Sequence, residues 1–117
     1  MQEEAEEIPV TRISLDEVKT FAIGPNSFGG RIYLGGGHGV QDLELFTGAG
    51  QRIRTTSLVF ASIGEYPPTT PGAPKFMVAA KMSVLNLIPY DGGVFTRVFI
   101  DWPESLTAAV DFLIVND

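Results

Sequence analysis

The sequence predicts an all-β fold, an antiparallel β-sandwich of jelly-roll type with six to eight strands. Three observations carry that expectation. Apolar residues recur at every second position over successive stretches, which is the period of a half-buried strand. Turn-forming residues separate those stretches, with 13 Gly and 8 Pro in 117 residues. No long stretch keeps the 3.6-residue period of an amphipathic helix. A chain of this length buries about two-thirds of its surface as one domain, and its 44% apolar content sets it apart from disordered chains.

The elements follow in chain order. Residues 1–9 read as a flexible acidic lead carrying Glu3, Glu4, Glu6 and Glu7 and ending at Pro9, with a single domain over 10–117. Ser14-Leu15-Asp16-Glu17 matches a capping box, so a short helical turn is expected there, then a strand reaching Ile23. Gly24-Pro25-Asn26-Ser27 and Gly29-Gly30 read as turns. Residues 31–34 alternate as a strand, and Gly35-Gly36-Gly37-His38-Gly39 reads as a loop. Residues 41–45 alternate again, and 52–63 form a longer β-rich run. Pro67, Pro68, Pro71 and Pro74 cannot sit inside a sheet, so this segment is expected as an extended surface loop. A strand over 75–88 follows, and 89–93 reads as a hairpin turn into a strand over 94–102. The last strand spans 107–115, with Ala108, Val110, Phe112 and Ile114 facing together. Trp102 is expected to close the core at the corner before Pro103. No internal repeat is visible, which excludes solenoids and propellers.

The outward faces carry more information than the inward ones. A half-solvated sheet is polar on the side away from its core. Here Phe95, Arg97 and Phe99 lie opposite Val94, Val98 and Ile100, while Leu113 and Val115 lie opposite Phe112 and Ile114; Met77 occupies the same position in its strand. Leaving such side chains in water forgoes roughly 1.5–3 kcal/mol apiece. Phe95, Arg97, Phe99, Leu113, Val115 and Met77 are therefore the expected interface of a homo-oligomer, a ring of three rather than a dimer. Arg97 has Asp101 or Asp111 as its expected ion-pair partner.

Several classes of chemistry fall away. The absence of Cys removes disulfides, thiol nucleophiles and zinc knuckles. The formal charge of −6 is concentrated in the lead, since without its four Glu the balance is 8 − 10 = −2. The largest basic cluster is Arg52-Ile53-Arg54, too small for nucleic-acid binding. The opening residues lack the pattern of a secretory signal, and no apolar run is long enough for a membrane span, so a cytoplasmic protein or a virion or extracellular assembly is expected. The glycine loop lacks the spacing of a phosphate-binding motif.

Candidate ligand-binding residues are Tyr66 at the mouth of the proline loop, His38, Tyr33 and Asp42. An exposed aromatic such as Tyr66 can stack on a sugar ring or a partner surface. Asp42 and Glu44 share one side of a strand and, with His38, form the alternative constellation of a small hydrolase or metal-dependent protein. Asp91, Asp101 and Asp117 form a calcium site only if the fold brings them together. No cofactor and no catalytic residue is expected. The function expected is that of a non-enzymatic, self-associating binding or structural module. Tail-fibre and virion domains and small lectins provide the architectural analogy, with a glycan or another protein as ligand.

Overall fold

Period-two alternation decides the layers. In the stretch after the hairpin, Val94, Thr96, Val98 and Ile100 are buried, while Phe95 and Asp101 are exposed and Arg97 and Phe99 half-buried. The computed structural model describes residues 8–47, 52–65 and 81–116. Within them the chain runs through β1 (Val10–Ser14), a 3-10 turn (Leu15–Glu17), β2 (Thr20–Gly24), β3 (Ser27–Gly37), β4 (Gly39–Phe46), β5 (Leu58–Glu65), β6 (Lys81–Tyr90), β7 (Gly93–Asp101) and β8 (Leu106–Val115).

These strands build two four-stranded sheets, ordered β1-β4-β7-β6 (sheet I) and β2-β3-β8-β5 (sheet II). Every neighbouring pair is antiparallel except β1 with β4, which is parallel. Leu43, Leu45, Val94, Val98 and Ile100 from sheet I meet Phe28, Ile32, Val110, Phe112 and Ile114 from sheet II in one core. The all-β sandwich is thus the architecture the alternation predicts. Among the described residues no helix is long and apolar enough to cross a membrane.

The capping box forms as expected. The Ser14 backbone N–H donates to Glu17 Oε1 at 3.3 Å, and Asp16 N–H donates to Ser14 Oγ at 3.3 Å. The turn it starts inserts Leu15 into the core.

Other local expectations are corrected. Gly29 and Gly30 lie inside β3 rather than in a turn, because neighbouring backbone comes too close for a side chain. A Cβ on Gly29 would stand 2.7 Å from the Phe112 carbonyl oxygen, and one on Gly30 2.9 Å from that of Lys19. Gly35, Gly36 and Gly37 extend β3, leaving only His38 between β3 and β4, and Gly39 adopts φ +74°.

Residues 52–57 are not a strand. Ile53 is wholly buried as a plug, and the bonds on either side of it run to a turn and to the β6–β7 hairpin: Gly92 N–H to Ile53 O at 2.8 Å and Thr55 N–H to Asp91 Oδ1 at 3.0 Å. Trp102 lies just past the end of β7, where alternation no longer directs it inward, and is exposed rather than closing the core. β1 was not expected. Its outward positions are exposed, and what holds it is pairing to β4, extended by Asp42 N–H to Pro9 O at 2.8 Å. The acidic residues 1–7, the proline loop and the start of the strand expected from 75 lie outside the described residues.

Candidate functional site

The outer face of sheet II is built from both edges inward. Edge strand β2 projects Phe21 and Ile23, and the opposite edge β5 projects Leu58 and Phe60; these are 57%, 61%, 60% and 55% exposed. Between them β3 contributes Gly29, Arg31 and Tyr33, and β8 contributes Asp111, Leu113 and Val115. Pairing aligns Phe21 with Gly29, Gly29 with Leu113, and Leu113 with Phe60. Two apolar ridges about 14 Å apart therefore flank a lower centre, three strand spacings wide. Because Gly29 carries no side chain, the β2 side deepens into a groove of about 660 Å³ lined by Phe21, Ile23, Arg31, Tyr33, Lys19 and Asp111.

A fixed ion pair crosses the middle of this face. Arg31 and Asp111 are register partners on β3 and β8, and their side chains join by two bonds, Nε to Oδ1 at 2.6 Å and NH2 to Oδ2 at 3.1 Å. Hydrogen bonding to Asp111 is the largest influence raising the Arg31 pKa; burial opposes it, and Tyr33 adds to the rise.

The outer face of sheet I is knitted by polar contacts. Arg97 meets Asp42 by two bonds of 2.7 and 2.9 Å across β4 and β7. Glu44 accepts from Arg12 Nε at 2.8 Å and from the Tyr90 hydroxyl. The Tyr90 ring lies 5.2 Å from that of Phe95, and the Arg12 guanidinium lies 4.2 Å above the Phe46 ring. The hydrogen bond from Arg97 lowers the Asp42 pKa, and the Tyr90 hydroxyl, then Arg12, lowers that of Glu44. Neither carboxyl is held as the proton-bearing acid that paired-carboxylate glycoside hydrolysis requires.

The expected site residues scatter. Phe95, Arg97 and Phe99 belong to the outer face of sheet I, and Leu113 and Val115 to that of sheet II, on opposite sides of the sandwich. Arg97 pairs with Asp42, neither with Asp101 nor with Asp111. Tyr33 lines the sheet II groove. His38 is exposed in the β3–β4 link, where its carbonyl accepts from Gln41 Nε2 at 3.0 Å. Tyr66 and Met77 lie outside the described residues.

Asp91 precedes β7 and Asp101 ends it, so the strand's length separates them; Asp117 lies outside the described residues. Among the described residues no group of three His, Asp or Glu is placed to hold a metal ion. The residues sequence reasoning missed are Phe21, Ile23, Leu58, Phe60 and Arg31. Phe21 and Ile23 are strand formers, but taken together with Val18 they do not alternate cleanly, because Val18 closes the 3-10 turn and β2 begins only at Thr20.

In comparisons with known proteins, no family model matches the chain, and no curated protein and no solved structure matches it.

Proposed function

We propose that the chain is a non-enzymatic binding and assembly module that self-associates through the outer face of sheet II. The observation carrying this reading is the concentration of Phe21, Ile23, Leu58 and Phe60, all more than half exposed, on one sheet face. Four strands about 4.8 Å apart and some eight residues long present roughly 500 Å². The apolar side chains rim that area and the Arg31–Asp111 pair lies within it, so the exposed apolar surface is a part of the whole face. The whole face is the greater part of the roughly 800 Å² that each partner contributes to a stable interface.

A second copy can cover this face because apolar rims flank an Arg31–Asp111 pair that is already matched and brings no net charge when water is excluded. Lys19, at the β2 edge of the groove, adds one positive charge with its Nζ 5.7 Å from the centre of the Phe21 ring. One face packing on itself closes as a pair, whereas the ring of three expected from the apolar outer faces needs two different patches on each copy. Twofold association is therefore the form proposed here. An assembly or receptor-binding role follows, with repeated sites gaining avidity from the pairing.

The test is a set of single substitutions read by sedimentation velocity. Phe60→Asp weakens self-association by about thirtyfold, the value of an aromatic anchor worth about 2 kcal/mol. Phe95→Asp, on the opposite face, leaves association as it was. The reverse pattern would move the interface to sheet I. The hydrolase reading centred on His38, Asp42 and Glu44 predicts instead that His38→Ala abolishes an activity while self-association is untouched.

A further inference from the structure

The chain holds five arginines, and three of them, Arg12, Arg31 and Arg97, are tied to carboxylates. Arg52 and Arg54 have no carboxylate partner among the described residues. Both line a pocket of about 320 Å³ at the end of sheet II where the β2–β3 turn meets the end of β8. Asn26, Ser27 and Asn116 complete its polar wall, and no Asp or Glu contributes to the described lining. In a protein of net charge −6 this is a local reversal of sign.

The two guanidinium groups are mounted on a fixed base. Ile53, fully buried between them, anchors the loop in the core. Arg54 N–H donates to Ser57 Oγ at 2.9 Å, and Asn116 Nδ2 donates to the Arg52 carbonyl at 2.9 Å. Ser57 Oγ in turn donates to Asn116 Oδ1, and Asn116 N–H donates to the Asn26 carbonyl at 2.8 Å. The Arg52 guanidinium carbon lies 4.0 Å from the centre of the Phe28 ring, a cation–π contact with another residue of the pocket wall. Backbone pinning at both arginines lowers the ordering cost of binding an anion.

We infer that this pocket binds a tetrahedral oxyanion, a phosphate or sulfate group. Four oxygens match a donor set of two guanidinium forks, an amide and a hydroxyl, whereas a carboxylate offers only two. A pocket of this volume takes the anion and the first few atoms of whatever carries it.

The experiment is an amide-resolved NMR titration of the full chain with sodium phosphate, and separately with sodium sulfate, each at ionic strength held constant with sodium chloride. Saturable shifts confined to residues 26–28, 52–57 and 116 are expected. The salt that saturates at lower concentration identifies the preferred group. Arg52→Gln and Arg54→Gln each weaken binding by about tenfold while the remaining resonances stay in place. Asp117 follows Asn116 in the chain, so the titration is repeated on Asp117→Asn, which removes the nearest side-chain carboxylate in sequence. Non-saturating or dispersed shifts in both proteins, or saturation unchanged by either arginine substitution, would overturn the site.

Discussion

At the scale of single residues, the fold rests on a few side chains whose partners are specific. Ile53 is the sharpest case: it sits in a loop, is fully buried, and fixes the segment that carries Arg52 and Arg54. Ile53→Ala is expected to cost about 2–5 kcal/mol, read as a lower urea midpoint at unchanged slope.

The ionised pairs on sheet I predict a pH profile. Asp42 and Glu44 titrate below their ordinary values in the folded chain, so their contribution is complete above about pH 4–5 and is lost as pH falls through their lowered values. Tyr90 is pushed up to about 12, first by burial and then by its bond to Glu44. Its contribution holds below the ordinary tyrosine value of about 10 and is lost as pH rises from there toward about 12. Stability against urea should therefore form a plateau with two falling limbs. Asp42→Asn flattens the acid limb and Tyr90→Phe the alkaline one; identical profiles for all three proteins would contradict these assignments.

At the scale of elements, the glycines of β3 separate two physical roles. Gly29 is a contact glycine, since its Cβ would stand 2.7 Å from backbone oxygen of β8, whereas nothing lies within 4 Å of a Cβ on Gly35. Gly29→Ala is expected to destabilise by about 1–3 kcal/mol through forced separation of β3 and β8. Gly35→Ala should be neutral or stabilising by a few tenths of a kcal/mol, because alanine lowers the entropy of the unfolded chain. Thermal unfolding of the two variants side by side checks the contrast.

The same residues show what was legible in the sequence. Alternation alone assigned the inward faces of β7 and β8, and Ser14 with Glu17 marked the 3-10 turn correctly. Gly29 misread as a turn because a glycine required by a neighbouring backbone looks the same in sequence as one required by dihedral angles. Ile53 misread as part of a strand because a single buried plug carries no period. Pro89 sits within β6, where it is tolerated because β6 is an edge strand, and the sequence alone does not say which strands are edges.

At the scale of the whole molecule, the assignment of strands to sheets decides which residues can act together. β7 and β8 carry similar patterns, yet one is interior to sheet I and the other to sheet II, so their apolar outer faces point away from each other. An outward apolar surface was legible. That it divides in two, and that the richer half is completed by Phe21, Ile23, Leu58 and Phe60 from edge strands, required the topology. The two halves differ in degree: a carboxylate–arginine pair crosses each, and exposed apolar side chains stand on both, Val10, Ile88 and Phe95 on sheet I and Phe21, Ile23, Leu58 and Phe60 on sheet II. Only sheet I adds the Tyr90–Glu44 bond and the Arg12–Glu44 pair.

The central claim, that copies pair through the ridged face of sheet II, is tested most directly by absolute mass from light scattering coupled to size-exclusion chromatography, over a hundredfold range of concentration. The account predicts twice 12.6 kDa for the native chain at the upper concentrations, with the rise from 12.6 kDa displaced to about thirtyfold higher concentration in Phe60→Asp. A native mass of 12.6 kDa at every concentration would contradict it, and the exposed ridges would then be reserved for a different partner.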